Sequence, residues 1–252
     1  MRFSRRNFFA YTAYLGISGY APSLQAQTHL ILRPKHLASG MTVGLVSPAS
    51  NAAEDESILA SMEFVRSLGL KVKAAPNLFA RAQYLAGSDD QRAADLNSFF
   101  TDPEVDAIFC TRGGYGTPRI LPLLDYDAVG QNPKIFMGYS DITALLNAIH
   151  VKTGLVTFHG PMAFENFTDY TYREYQKVIG APSDSVEIGS PPEFEIKPGQ
   201  IDRDNRLTTI NPGVAEGRLI GGNLSLLVTL LGTEFEPNFE GSILFLEDVS
   251  EP

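Results

Sequence analysis

The 252-residue sequence carries 20 basic and 29 acidic side chains, a formal net charge of −9, and 44% of its residues are apolar. This composition is typical of a soluble globular protein and excludes a disordered or fibrous chain. The acidic balance disfavours nucleic acid and anionic membrane surfaces as partners. The single cysteine, Cys110, excludes an intrachain disulfide and a multi-cysteine metal site.

The first 26 residues are predicted to be a targeting signal. Arg5 and Arg6 precede a short, weakly apolar stretch and a small-residue region that ends near Ala26. This is the order of a secretory signal peptide, and paired arginines indicate the twin-arginine route to the periplasm. A frayed basic terminus is the alternative. The stretch is too short and too rich in Gly and Ser for a stable membrane span.

Strands and helices alternate along the next part of the chain, 37–170. The pattern predicts strands at 42–46, 71–75, 107–110, 134–137 and 155–158, and helices at 55–67, 88–100 and 141–150. Short apolar strands that alternate with helices predict an α/β domain with a parallel sheet covered on both faces. Reactive groups in such domains collect where strands end.

A second, smaller unit is predicted after a polar connection. Prolines recur between 182 and 212, which indicates an interdomain connection over 171–212. A helix at 224–231 and a strand at 242–246 then begin a mixed β/α domain, 213–252. We expect this domain to be incomplete, because its last strand would lie near an uncovered edge.

Ser140 is the candidate nucleophile. The segment KIFMGYSDIT (134–143) places it between a strand and a helix, where exposed N–H groups favour negative charge. Such a turn resembles a nucleophile elbow, although Ile142 stands where G-x-S-x-G has its second glycine. The alternative is that Ser140 and Asp141 merely cap a helix.

A glycine-rich loop and a pair of carboxylates follow two other strands. The loop TRGGYG (111–116) could expose N–H groups to an oxyanion or form a plain tight turn. Glu247 comes directly after an apolar strand, where a carboxylate can orient a histidine. His159, at another strand end, could border the same pocket, and no histidine spacing indicates a metal site.

Six segments together resemble the LD-carboxypeptidase family of serine peptidases, which includes murein tetrapeptide carboxypeptidases and microcin C immunity peptidases. They occur in the family order from about Leu37 onward: AGSDDQRAADL (86–96), RGGYG (112–116), GYSD (138–141), FHGPM (158–162), GGNL (221–224) and LED (246–248). The resemblance implies an α/β domain, a C-terminal mixed β/α domain and a Ser-His-Glu triad between them.

The resemblance also implies roles for particular residues. Ser140 would be the nucleophile, Glu247 the triad acid, and the N–H groups of Gly114 and Asp141 the oxyanion donors. The implied substrate is a murein tetrapeptide, cleaved at the bond to its terminal D-amino acid, and no cofactor is implied. Family members are commonly homodimers, which makes a homodimer one assembly to test.

The family histidine lies beyond the acid, and this sequence ends five residues after Glu247. The 252-residue chain is therefore expected to be either a fragment of a longer product or a truncated protein that is inactive or nearly so, because an unassisted serine is a poor nucleophile. Two alternatives remain: a non-catalytic peptide-binding module, and an amidase that acts on peptide–nucleotide antibiotics.

Overall fold

The structure, a computed structural model, describes residues 30–163, 165–180, 185–192, 197–199 and 207–249. The predicted targeting signal, residues 1–26, lies outside the described residues. Three parts of the predicted connection (171–212) lie outside them as well: 181–184, 193–196 and 200–206. No helix in the described ranges has the length and apolar character needed to cross a membrane.

Five parallel strands form the main sheet, in the order β2-β1-β3-β4-β5. The strands are β1 Thr42–Val46, β2 Lys71–Ala74, β3 Ala107–Cys110, β4 Ile135–Gly138 and β5 Phe158–His159. Every residue of β3 and β4 is buried, as expected for central strands covered on both faces. The parallel α/β fold predicted from the sequence is confirmed, and the carboxyl ends of all five strands lie at one edge.

Six α-helices are present in the described residues. They are α1 Asp55–Ser67, α2 Asp89–Thr101, α3 Tyr126–Gln131, α4 Thr143–Thr153, α5 Asp169–Tyr175 and α6 Leu224–Leu230. Two 3-10 segments, Thr117–Leu123 and Ser140–Ile142, and one π-helical turn, Gln176–Gly180, complete them. Ser88 begins α2 with a capping box: its hydroxyl accepts from the Gln91 N–H, and the Gln91 side chain accepts from the Ser88 N–H.

Two of the predicted strands begin later in the structure than in the prediction. The strand predicted at 155–158 is Phe158–His159, because the backbone before it pairs elsewhere: Val156 N–H donates to Leu32 O at 2.8 Å. The strand predicted at 134–137 begins one residue later, at Ile135. The Lys134 side chain instead donates to Phe99 O and to the carbonyl of Asp102, the residue that follows α2.

A second, two-stranded parallel sheet follows, formed by β6 Arg218–Asn223 and β7 Ser242–Glu247. Helix α6 connects the two strands. The register pairs Asn223 with Glu247, so both lie at the carboxyl end of this sheet. Asn223 N–H donates to Thr143 Oγ1 at 3.0 Å, and Asn147 Nδ2 donates to Gly221 O at 2.9 Å. These contacts bring the carboxyl end of β7 close to the first turn of α4.

Much of this second sheet is solvent-exposed. The apolar side chains of Ile243, Leu244, Phe245 and Leu246 are 38–51% exposed. The strand that the sequence analysis placed near an uncovered edge is thus observed with an apolar, accessible surface.

Candidate active site

Ser140 lies directly after β4 and Tyr139, at the start of the 3-10 turn that leads into α4. Its backbone φ is 58°, one of two positive values among the described non-glycine residues. A serine in the left-handed region is strained, and such strain concentrates at functional sites. A Cβ on Gly138 would stand 3.0 Å from Ile142 Cγ2, so a side chain there would fit only if Ile142 shifted.

The glycine loop packs directly on the nucleophile. A Cβ on Gly113 would stand 3.0 Å from Ser140 Cβ, 3.1 Å from its Oγ and 3.3 Å from the Asp141 backbone nitrogen. Gly113 therefore leaves the space in front of the hydroxyl open. Gly114, the residue assigned from the sequence as an oxyanion donor, follows at φ 119°. Its backbone packs against Ser50, whose Oγ accepts from Tyr115 N–H at 3.1 Å.

Ser140 and both glycines border one cleft of about 500 Å³. Its other lining residues lie in α1 and the loop before it, just after β3, β4 and β7, and in the loop that follows β5: Ala52, Ala53, Ser57, Ile58, Ser61, Thr111, Arg112, Tyr139, Met162 and Val249. A cleft of this size can receive a short peptide segment. The proposed oxyanion loop and the hydroxyl therefore share one accessible space.

Asp141 is 2% exposed, and its carboxylate points away from the serine into the protein. Its Oδ2 accepts from Thr117 N–H at 2.9 Å. Burial raises the pKa of this carboxyl, and the hydrogen bonds from Thr117 oppose that rise. With the side chain engaged in this way, the part of Asp141 left to face Ser140 is its backbone N–H.

Glu247 ends β7, beside Asn223 and therefore beside the first turn of α4. Its Oε2 is buried and has no hydrogen-bond partner among the described residues. The pKa of Tyr139 is raised mainly by burial and by the hydrogen bond that Tyr139 donates to Glu165, and the negative charge of Glu247 adds to this rise. The Glu247 carboxylate therefore lies near Tyr139, the residue that precedes the predicted nucleophile. The carboxylate thus has free acceptor capacity near Tyr139, the residue that precedes Ser140.

Of the three histidines in the described chain, His150 lies at the end of α4 and His159 lies beside Tyr139. His150 Nδ1 is 3.0 Å from Leu155 O at the end of α4. The His159 ring lies between Tyr139 (centroid distance 5.9 Å) and Phe245 (5.0 Å), and desolvation lowers the pKa of its imidazole. It lines a separate pocket of about 310 Å³ together with Glu165, and that pocket meets the serine cleft at Tyr139.

Sequence reasoning missed several residues that shape this site. Gly113, rather than Gly114, packs on the hydroxyl, and the buried side chains of Arg92 and Thr117 support the loop. Arg92 belongs to the segment 86–96 that was noticed only as a family motif. The spacing of Arg92 from Leu96 and Phe100 (i, i+4, i+8), which puts an arginine on the apolar face of the helix, would have been the available signal for its burial, though not for its partners. In the described ranges, no group of three or more His, Cys, Asp or Glu side chains could hold a metal ion.

Together these features define a class of protein: an α/β fold with a serine on a strained strand-to-helix turn, an adjacent glycine loop and a nearby strand-end carboxylate. Comparison with known proteins gives the particular family. Residues 43–160 match the model of the LD-carboxypeptidase N-terminal domain, and residues 216–252 match that of its C-terminal domain. The chain belongs to the LD-carboxypeptidase family.

Individual relatives agree with this assignment. A probable murein peptide carboxypeptidase of Bacillus subtilis is 44% identical over 87% of this chain and 66% of its own length. The microcin C7 self-immunity protein MccF of Escherichia coli is 34% identical over 89% of this chain and 71% of its own. The crystal structure of an MccF-like protein from Bacillus anthracis superposes with a TM-score of 0.72, at 33% identity over 86% of this chain and 70% of that one.

The chain thus spans about two thirds of the length of the curated relatives it matches. The described residues hold the predicted nucleophile, both predicted oxyanion donors and the predicted acid. The assignment of catalytic roles to Ser140, Glu247, Gly114 and Asp141 stays a prediction.

Proposed function

We propose that this protein is a serine-type LD-carboxypeptidase, which hydrolyses the bond between an L-configured centre and a terminal D-amino acid in murein tetrapeptides. The observation that carries the proposal is the strained backbone of Ser140, which holds its hydroxyl against Gly113 in an open cleft. The names of the relatives support a murein substrate.

The reaction would follow the acyl-transfer route of serine peptidases. Ser140 Oγ attacks the carbonyl carbon of the scissile bond, and the N–H groups of Gly114 and Asp141 receive the negative charge that forms on the carbonyl oxygen. The amine of the D-amino acid then leaves with a proton, and water hydrolyses the acyl-enzyme. A histidine oriented by Glu247 would carry the protons in this scheme.

In the described chain, no imidazole hydrogen-bonds to Glu247. We therefore propose that the 252-residue form binds the peptide and turns it over very slowly, because loss of the triad histidine lowers kcat by about 10⁶-fold in a serine peptidase. Binding of the peptide without measurable cleavage would instead support the alternative that this cleft belongs to a non-catalytic peptide-binding module.

The test compares three purified proteins with a murein tetrapeptide: the wild type, Ser140→Ala and a control, Ser98→Ala. Ser98 is an exposed serine on α2 whose hydroxyl donates to Asp95 O, far from the cleft. D-alanine release and calorimetric peptide binding are measured side by side. We expect slow release by the wild type and Ser98→Ala and none by Ser140→Ala. Release that Ser140→Ala leaves undiminished would refute the role of the serine.

A second candidate activity is cleavage of peptide–nucleotide conjugates. The similarity to MccF favours it, and solved MccF structures contain glutamyl sulfamoyl guanosine and aspartyl sulfamoyl adenosine. Export through the twin-arginine route, which we propose from residues 1–26, argues for murein instead, because murein lies outside the inner membrane. Recovery of the protein from the periplasm, with tetrapeptide hydrolysed faster than such conjugates, would decide for the carboxypeptidase.

A further inference from the structure

Two buried charged side chains hold the glycine loop: Arg92 from α2, and Asp141 from the turn that carries the nucleophile. They are 1% and 2% exposed. Charged groups are rarely buried this deeply without specific partners, because removal from water is unfavourable for an unpaired charge. Their partners therefore indicate what this burial achieves.

Arg92 joins three segments of backbone. Its Nη1 donates to Pro48 O at 2.6 Å and to Gly116 O at 3.0 Å, and its Nη2 donates to the carboxylate of Asp89. Pro48 lies in the loop after β1, and Gly116 ends the glycine loop after β3. One planar guanidinium thus connects two neighbouring loops to the first turn of α2, which the single ammonium group of lysine could not do with the same geometry.

Asp141 ties the same end of the loop to the nucleophile. Besides the bond from Thr117 N–H to its Oδ2, the Thr117 hydroxyl donates to Asp141 O at 2.5 Å. Thr117 itself is completely buried. The residue directly after Gly116 is therefore bonded twice to the residue directly after Ser140.

The other end of the loop is held as well. Thr111 Oγ1 and Ser47 Oγ are 2.7 Å apart in a buried hydrogen bond. Between these attachments lie Gly113 and Gly114, which face Ser140 and the cleft. Stabilisation of an oxyanion depends on donors placed within a few tenths of an ångström before the reaction begins. Small movements of the loop would therefore change the rate.

We propose that Arg92 and the Thr117–Asp141 pair are positioning residues that hold the amides of Gly114 and Asp141 at the spacing needed to receive negative charge at Ser140. The proposal rests on the proposed serine-peptidase function. Arg92 does not line the serine cleft, so its effect would pass through the loop it supports.

The first test does not depend on catalysis. Hydrogen exchange of peptides covering 111–117 is compared in the wild type, Arg92→Met and a control, Arg119→Gln. Arg119 contacts the same Asp89 from the solvent side and is 55% exposed, so its loss spares the loop. We expect exchange to become about 10-fold faster in Arg92→Met, because two loop-anchoring hydrogen bonds are lost, and to stay unchanged in Arg119→Gln.

The second test measures the positioning role at the serine. The rate at which a fluorophosphonate modifies Ser140 is followed well below each variant's melting temperature. Attack on phosphorus develops charge on an oxygen that the same amides would receive. We expect about a 10- to 100-fold slower reaction in Arg92→Lys and Thr117→Val, and a nearly normal one in Thr117→Ser, which keeps the hydroxyl. The comparison of Thr117→Val with Thr117→Ser tests the positioning role even if the arginine variants fold poorly.

The outcomes separate the two proposals. Unchanged exchange over 111–117 in Arg92→Met would overturn the inference, as would a loosened loop with an undiminished rate of phosphonylation. If Ser140 in the wild type does not react more than a surface serine, the proposed peptidase function fails. The exchange comparison would then still show whether Arg92 holds the loop.

Discussion

Replacing Gly221 with alanine should dislodge the second sheet. Gly221 lies in β6 at φ 144°, opposite Phe245 of β7. A Cβ at this position would stand 1.7 Å from Phe245 O, a backbone atom that cannot move without moving the strand. Gly232 is the matched control, since it also has a positive φ, 74°, but nothing lies within 4 Å of its Cβ position.

The expected magnitude follows from two contributions. A left-handed backbone with an added Cβ is unfavourable by about 1–2 kcal/mol, and both variants share this effect. Only Gly221→Ala must also separate the strands by more than about 1 Å, which breaks the neighbouring ladder hydrogen bonds at about 1 kcal/mol each. We expect Gly221→Ala to lower the free energy of unfolding by about 3–5 kcal/mol, and Gly232→Ala by about 1–2 kcal/mol.

Urea unfolding followed by circular dichroism gives both free energies. Limited proteolysis of 207–249 reports local loss of the second sheet where the main sheet survives. Because β7 carries Glu247, the predicted triad acid, Gly221→Ala should also remove any activity, whereas Gly232→Ala should retain it. The reasoning is wrong if the two variants unfold within about 0.5 kcal/mol of each other, a difference typical of unstrained surface sites.

Two further predictions concern carboxylates. The Gly189 N–H, and then Lys177, hold the pKa of Glu174 at about 2, below its ordinary value of 4.5. Because the pKa of Glu174 is lower in the folded state, its carboxylate holds 185–192 on α5 fully above about pH 4.5, and this attachment is lost as the pH falls towards 2. Proteolysis of 185–192 should therefore become faster at low pH in the wild type, whereas its rate in Glu174→Gln should not depend on pH in this way. Glu247→Met should unfold at equal or higher urea concentration, because it removes a buried acceptor without a donor; destabilisation beyond about 1 kcal/mol would mean that the carboxylate is paired.

The main sheet could be predicted from local patterns because each element carries its own signal. β3 and β4 are short apolar runs buried on both faces, and Ser88 with Gln91 forms the capping signature that begins α2. β6 carries no such signal. It contains two adjacent glycines at positive φ, and half of its residues are exposed or partly exposed, so pairing with β7 rather than propensity makes it a strand.

The candidate site likewise contains residues that the sequence could locate and residues that it could not. Ser140 and the glycine loop could be located because parallel strands bring their carboxyl ends to one edge of the sheet. The support from Arg92 could not, because its partners Pro48 and Gly116 are 44 and 24 residues away. That separation is bridged only by tertiary packing. Likewise, the choice between Gly113 and Gly114 depends on distances of a few ångströms, which no sequence pattern records.

The backbone of Ser140 also argues against one of the two readings that the sequence left open. A serine that merely caps a helix has extended dihedral angles, and its hydroxyl accepts an N–H from the first turn. Ser88 and Thr168 do this in α2 and α5, with φ of −67° and −72°. Ser140 has φ 58°, and neither its 3-10 turn nor α4 receives a side-chain cap. The capping interpretation is therefore wrong for Ser140, and its strained backbone instead leaves the hydroxyl unengaged beside Gly113, which is the arrangement a nucleophile requires.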